Sequence, residues 1–207
     1  MRSHESSLRL PAGLLVLSIL LLVGLTLWLN HVWFAVAIYH AIMLPISIWV
    51  SRDRLSTILK PGMKQLAAGL AITVPLYFAS WGGFLLLTWL VPAAEQEAQR
   101  VFDWKDLVPW WIAAPILLLA VTGEELLWRG AITQGIASQW GRARGVIIGA
   151  LGFALAHAGM GSGLIVLAAL LLGAFWGVLT LASRSLIPAL VCHLLWDVAV
   201  LFVFPFA

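Results

Sequence analysis

Long apolar runs dominate the chain, and short polar stretches separate them at fairly even intervals. Apolar runs of about 18 residues or more are typical of helices that cross a membrane. The pattern predicts seven such spans, at residues 11–29, 31–50, 64–91, 107–137, 145–158, 163–182 and 187–204. We therefore expect an all-α fold, a polytopic transmembrane helix bundle of about seven spans.

Composition supports this class, because 62% of the residues are hydrophobic and only 10% are charged. The mean hydropathy is +1.02, and the 12 tryptophans fit the preference of amphipathic rings for the membrane surface. A soluble domain of 207 residues is therefore excluded. The first run follows Arg2 and Arg9 but is long for a signal peptide and lacks a small-residue cleavage site, so we expect a retained helix.

The polar stretches differ in charge on the two predicted sides of the membrane. One side has mostly bases, with two acids: Arg2, Arg9, Arg52, Arg54, Lys60, Lys64, Arg142, Arg144 and Arg184 against Glu5 and Asp53. The other has mostly acids, with two bases: Glu95, Glu97, Asp103 and Asp106 against Arg100 and Lys105. Basic residues favour the cytoplasmic side, which predicts an N-terminus in the cytoplasm and a C-terminus outside. The basic excess thus reflects orientation, and no nucleic-acid partner is expected.

We expect one integral membrane domain over residues 1–207. It divides into three N-terminal spans with a polar loop (1–106) and a C-terminal group of four helices (107–204). The polar stretch 92–106 is predicted to be a short surface helix or a loop. Two stretches, "GVIIG" at 145–149 and "GAFWG" at 173–177, fit the small-xxx-small pattern that lets helices pack closely.

Six strongly polar side chains remain inside the C-terminal spans once the loops are set aside. Ionisable groups at such positions usually face a cavity or a partner and mark function. Residues four apart share a helix face, so we expect Glu125 to pair with Arg129, and His193 to stand over Asp197. Glu124 is rotated about 100° from Glu125, which predicts different partners for the two carboxylates. The six are Glu124, Glu125, Arg129, His157, His193 and Asp197.

Other candidate residues have simpler interpretations. His40 lies in the middle of a span with no carboxylate nearby in sequence, so we interpret it as a satisfied core histidine. The single cysteine, Cys192, excludes a disulfide framework and a CxxC metal site. Ser162 lies in the glycine-rich turn "GMGSG", but Met160 occupies the position that a rhomboid-type GxSG motif needs for glycine.

Three motifs occur in a known order within these spans: "EELLWR" fits EExxxR, "FALAH" fits FxxxH and "HLLWD" fits HxxxN/D. In this the chain resembles the CPBP family of intramembrane proteases, the CAAX-processing and bacteriocin-processing group also called the Abi family. The resemblance covers roughly residues 109–204. It implies a hydrolase whose CPBP-type core is formed by the C-terminal four helices.

The resemblance also implies roles for individual residues. Glu124 would activate a water molecule with help from His157, while His193 and Asp197 would flank the scissile carbonyl and stabilise its oxyanion. Glu125 and Arg129 would support the site as an ion pair, and Phe153 is the first residue of the second motif. The Ras-converting members have Asn where this chain has Asp197. A carboxylate donates a hydrogen bond only when protonated, so Asp197 either donates beside the oxyanion or orients His193 as an acceptor.

The sequence leaves alternatives open for the metal dependence and for the function. No cofactor is favoured, because HExxH is absent and a glutamate base needs no metal; the alternative is zinc bound by Glu124, His157 and His193. A non-catalytic bacteriocin-immunity or scaffold protein and a proton-coupled transporter are the non-enzyme alternatives. We expect the partners to be the lipid bilayer and a membrane-associated protein or peptide substrate. The expected location is a bacterial inner membrane.

Overall fold

The computed structural model describes the backbone of residues 2–206 and the side chains of residues 10–206. Arg2, Glu5 and Arg9, which contribute to the predicted charge bias, lie outside the described side chains. The described chain is helical, with no strand among residues 2–206. Its helices are α1 (Arg2–Leu29), α2 (Val32–Ile58), α3 (Met63–Leu90), α4 (Ala93–Phe102), α5 (Trp110–Trp140), α6 (Arg142–His157), α7 (Gly163–Ser183) and α8 (Ile187–Val203).

Six of these helices are long and apolar enough to cross a membrane, namely α1, α2, α3, α5, α6 with the turn that follows it, and α7. The seventh predicted span corresponds to α8, which is apolar but shorter. A helix rises about 1.5 Å per residue, so the length of α8 is close to the thickness of the hydrocarbon core of a bilayer. The predicted all-α bundle of membrane-spanning helices is confirmed.

The helix ends differ from the predicted span ends by a few residues in most cases. The two largest differences are in α1, which begins at Arg2 instead of near Pro11, and in α2, which continues to Ile58 instead of ending near Val50. The extension carries the exposed Arg52 and Asp53, and it is helical because charged side chains can leave the membrane without ending a helix. The polar stretch after α3 forms the short helix α4 and a 3-10 turn, Asp103–Leu107.

The loops meet at two opposite ends of the bundle. At one end, the amide N of Leu186 before α8 donates to the carbonyl of Ile58 at the end of α2, at 2.8 Å. At the other end, Ser162 before α7 donates to Glu97 of α4 at 2.7 Å. These contacts agree with the predicted alternation of loops between the two ends.

Small residues bring α6 close to its neighbours, as the two small-xxx-small stretches predict. A Cβ added at Gly149 would overlap the hydroxyl of Thr133 in α5. A Cβ added at Gly173 of α7 would lie 3.0 Å from the ring of Phe153 in α6. Close packing therefore holds α6, which carries the second motif, against α5, which carries the first, and against α7; α2 also packs along α5.

A change of helix type occurs inside α5. The regular helix ends at Glu124, and Glu125–Thr133 is π-helical, with every residue of that segment buried. Wider π-helical turns are rare and frequently lie at functional sites. The sequence pattern predicted a uniform α-helix here, because the hydrophobic runs carry no signal for the wider turn.

Candidate active site

Glu124 lies where the regular part of α5 meets its π-helical segment, and its carboxylate faces three imidazole rings. Its Oε1 lies 3.6 Å from Nε2 of His157 in α6 and 3.8 Å from Nε2 of His40 in α2. Its Oε2 lies 3.7 Å from Nε2 of His193 in α8. The side chain of Glu124 is 12% exposed, into an internal cavity. The structure thus brings Glu124, His157 and His193 together from three helices.

The ring orientation of His157 follows from a hydrogen bond to its own helix. Its Nδ1 lies 2.8 Å from the carbonyl oxygen of Phe153, one turn earlier. A carbonyl oxygen only accepts, so Nδ1 carries a proton and Nε2 points at Glu124. The ring of Phe153 also contacts the imidazole edge-on, with centroids 4.4 Å apart.

His193 is held from the opposite side by the second carboxylate. Its Nδ1 lies 2.9 Å from Oε1 of Glu125, and its Nε2 lies 3.5 Å from Oδ2 of Asp197. The indole of Trp176 in α7 stacks on the ring, with centroids 3.6 Å apart. Glu125 therefore orients His193. Asp197 faces Nε2, the nitrogen that points toward the cavity, so its role as a donor beside the oxyanion or as an acceptor that orients His193 stays a prediction.

Glu125 also forms the ion pair that its spacing from Arg129 predicts. Nη1 of Arg129 lies 3.2 Å from Oε1 of Glu125, and both side chains are buried. The guanidinium lies against the rings of Phe153, at 4.4 Å, and Trp176, at 5.2 Å. The prediction that the two carboxylates have different partners is only partly correct, because both face His193, on opposite nitrogens.

An internal cavity of about 570 Å³ connects these groups to the edge of the bundle. Glu124, His157, His193 and Asp197 lie on its wall. The rest of the lining is mostly apolar, and most of it comes from α2, α3, α7 and α8. The cavity also reaches the turn after α4, where Trp104 and Lys105 line it. A volume of this size is in the range of ligand pockets, which span about 300–1,000 Å³.

The side chains around Glu124 are of the types that can bind zinc, so their spacing decides whether they could hold the ion. Structural and catalytic zinc sites take three or four N, O or S ligands at about 2.0–2.3 Å. Among the described residues, no group of three or more His, Cys, Asp or Glu side chains has the spacing to hold a metal ion. The arrangement seen here therefore does not fit zinc, and the steps proposed below use protein groups alone.

Ser162 and Cys192 lie outside the cluster around Glu124. Ser162 caps α7, accepting from the amide of Ile165 at 3.2 Å and donating to Glu97. The amide of Leu164 and the hydroxyl of Ser162 donate to Glu97, and they hold the pKa of that carboxyl below its usual value. Cys192 is buried in an apolar cluster with Trp176. The structure gives neither residue a place beside Glu124.

Two residues of the site were missed or misread in the sequence. The interpretation of His40 as a satisfied core histidine is wrong, because its Nε2 faces Glu124 and has no hydrogen-bond partner among the described residues. Trp176 stacks on His193 but looked like packing within "GAFWG". Their only sequence signal is a polar or aromatic residue in mid-span, and its partner is remote along the chain.

The fold and the site together define an integral membrane protein with a carboxylate and imidazole cluster on the wall of an internal cavity. Residues 106–199 match the family model described as type II CAAX prenyl endopeptidase Rce1-like. This match confirms the resemblance to the CPBP proteases over these residues. No curated protein and no solved structure matches the chain. Family and fold support an intramembrane endopeptidase in general.

Proposed function

We propose that the chain hydrolyses a peptide bond of a membrane-associated protein or peptide, with water activated by Glu124. The observation that carries the proposal is the position of Glu124, whose Oε1 faces Nε2 of His157 across 3.6 Å on the cavity wall. Catalytic hydrogen bonds are often long without substrate and tighten in the complex. A water molecule between the two groups would donate a hydrogen bond to each of them, and Glu124 would take its proton.

In the first step, Glu124 takes a proton from this water. The oxygen of the water attacks the scissile carbonyl carbon, and the electron pair of the C=O bond moves to the carbonyl oxygen. Nε2 of His157 accepts a hydrogen bond from the same water, since its Nδ1 proton is committed to the carbonyl of Phe153. His157 thereby orients the nucleophile and Glu124 acts as the general base.

His193 stabilises the oxyanion that forms. Its Nδ1 proton is directed to Glu125, so donation into the cavity requires a second proton on Nε2. The carboxylates of Glu124, Glu125 and Asp197 all lie within 4 Å of the ring and favour that cationic form. A fixed cationic donor on the wall of a mostly apolar cavity is well placed to stabilise an oxyanion.

The intermediate then collapses. The C=O bond re-forms, the C–N bond breaks, and the proton on Glu124 moves to the leaving amine nitrogen. One water is consumed, and Glu124 returns to its carboxylate form. Arg129 supports this cycle without lining the cavity, because it neutralises Glu125 and packs against the ring of Phe153.

We propose that the reaction proceeds without a metal. Elemental analysis of active protein should give well under one zinc per chain, and a chelator should leave cleavage intact. The opposite result is stoichiometric zinc that is lost together with activity and restores it on re-addition. That result would make Glu124, His157 and His193 ligands and overturn the glutamate mechanism.

The proposed location is a bacterial inner membrane, with the N-terminus in the cytoplasm. The mostly apolar cavity lining suits a lipid-embedded or membrane-anchored segment of the substrate. A reporter fused after the C-terminal residue should behave as an exported protein. A cytoplasmic signal there would contradict either the predicted orientation or the predicted odd number of membrane crossings.

Comparative proteomics tests the activity itself. Membrane fractions from cells with the wild-type chain should contain a cleavage product that is lost with Glu124→Gln. Glu95→Gln is the matched control, because it makes the same chemical change on the exposed surface of α4. A product set that is identical in wild type and Glu124→Gln would contradict the proposed function.

A further inference from the structure

His40 extends the site beyond the segment that matches the protease family. It lies in α2, outside residues 106–199, and it is fully buried. Its Nε2 lies 3.8 Å from Oε1 of Glu124, the same oxygen that faces His157. Among the described residues this nitrogen has no hydrogen-bond partner. A buried polar atom without a partner is costly, so its direction toward Glu124 calls for a function.

The tautomer of His40 is defined by its own helix. Nδ1 lies 2.8 Å from the carbonyl oxygen of Val36, one turn earlier, so this nitrogen carries a proton. In the neutral ring, Nε2 then offers only a lone pair to Glu124. The arrangement repeats that of His157, whose Nδ1 also donates to the carbonyl one turn earlier.

Neighbouring residues pack closely around the imidazole ring of His40. Gly123 precedes Glu124 in α5, and a Cβ added there would overlap Cδ2 of His40. The ring of Tyr39 contacts the imidazole edge-on, with centroids 4.7 Å apart. The backbone of Gly123, next to Glu124, thus contacts this imidazole directly.

We propose that His40 is a positioning residue for the general base. Its Nε2 accepts the hydrogen bond of the proton that Glu124 takes from water, and so holds the protonated Glu124 in place. Before the proton transfer, two acceptors face each other; afterwards, the new O–H of Glu124 donates to Nε2. The contact therefore favours the state that forms along the reaction, which is the kind of interaction that raises kcat. This inference rests on the proposed function of Glu124.

The test uses an internally quenched peptide that spans the bond whose product is lost with Glu124→Gln, cleaved by purified full-length protein in detergent. His40→Phe keeps a ring but removes both nitrogens. Its kcat should fall roughly 10- to 100-fold, the range seen when a supporting partner of a reactive group is lost, while KM stays unchanged. His31→Phe is the matched control, because it makes the same change in a ring that stacks on Phe34 and does not line the cavity.

Two further variants separate positioning from folding. His40→Gln retains an oxygen that can accept a hydrogen bond, so it should recover part of the kcat that His40→Phe loses. Gly123→Ala displaces the imidazole without changing its chemistry and should lower kcat in the same way. Gly177→Ala is its control, since a Cβ there would make ordinary contacts of 3.7 Å or more and should leave kcat unchanged.

The outcomes are distinguishable. Wild-type kcat in His40→Phe, with Glu124→Gln inactive, would overturn the role of His40 and leave the proposed function standing. Equal losses of kcat in His40→Phe and His40→Gln, together with lower melting temperatures, would also overturn it and make His40 a packing residue. Normal turnover in Glu124→Gln would overturn the proposed function and this inference with it.

Discussion

Glu124 and Glu125 are neighbours in the chain, yet they lie in two different kinds of surroundings. Glu125 is fully buried, with contacts of 2.9 Å to His193 and 3.2 Å to Arg129. Glu124 faces the cavity and lies 3.6–3.8 Å from three imidazole nitrogens. Oε1 of the first carboxylate is engaged by both partners, although its Oε2 has no hydrogen-bond partner among the described residues. The second carboxylate lies on the cavity wall, where it can bind a water or a proton.

The difference shows how one turn of helix serves both stability and chemistry. A carboxylate that is paired with a buried arginine holds its neighbours in place but is a poor acceptor for a new proton, because protonation would break the ion pair. A carboxylate that faces imidazole nitrogens at slightly more than hydrogen-bond distance can take a proton without breaking a strong contact. Changes at the two positions should therefore separate activity from stability.

The largest effect is expected for Glu124→Gln. The amide keeps the shape of the side chain but cannot accept the proton from water, so turnover should fall by roughly 10²–10⁴-fold. His157→Ala and His193→Ala should be comparably severe, because residues that act as one unit give non-additive losses. Turnover of the cleaved substrate and the melting temperature in detergent provide the measurements. A Glu124→Gln protein that loses stability as much as activity would place Glu124 with Glu125 as a structural group.

Arg129→Ala should instead act mainly on stability. It leaves Glu125 as a buried charge without its partner, which costs roughly 3–5 kcal/mol of unfolding free energy. Arg52→Ala is the control, since Arg52 pairs with Asp53 at 3.7 Å on the exposed surface and should matter little. Folded yield and melting temperature measure the effect. Normal stability with lost activity would make Arg129 a ligand of the substrate.

The sequence predicted much of this contrast and missed a specific part. Long apolar runs and charge bias are strong signals, so the helical membrane fold followed from them. The spacing of Glu125 and Arg129 predicted their ion pair, because both residues lie on one helix. His40 could not be connected with Glu124, since contacts between remote helices leave no periodic signal in a single chain. For the same reason, the sequence did not predict that Glu125, which lies on another helix, is the partner of His193 Nδ1.

Asp197→Asn tests the division of labour around His193. Because Glu125 already holds Nδ1, an amide at position 197 should leave the ring oriented, and it can donate a hydrogen bond near the oxyanion. Turnover should therefore remain within about tenfold of wild type, or less than 1.4 kcal/mol in transition-state stabilisation. A loss as severe as that of His193→Ala would instead assign the orienting role to Asp197. The measurement is kcat/KM on the cleaved substrate, with the melting temperature as control.

The smallest effect is expected at Glu97, a carboxylate that is as well bonded as Glu125 but lies at the surface. Its Oε1 accepts from the hydroxyl of Ser162 at 2.7 Å and from the amide of Leu164 at 3.0 Å, at the start of α7. Negative charge at a helix N-terminus contributes about 0.3–1 kcal/mol, which Glu97→Gln should remove at neutral pH.

The pH dependence of this effect has a definite sign. The amide of Leu164 and then the hydroxyl of Ser162 lower the pKa of Glu97 from its ordinary value of 4.5. The folded protein therefore binds the proton less tightly than the unfolded chain, and the stabilisation is complete above pH 4.5. It should disappear as the pH falls further, through the lowered pKa of the folded state. Melting curves of wild type and Glu97→Gln should differ at pH 7 and converge in acid, whereas a constant difference would mean that the charge of Glu97 does not stabilise α7.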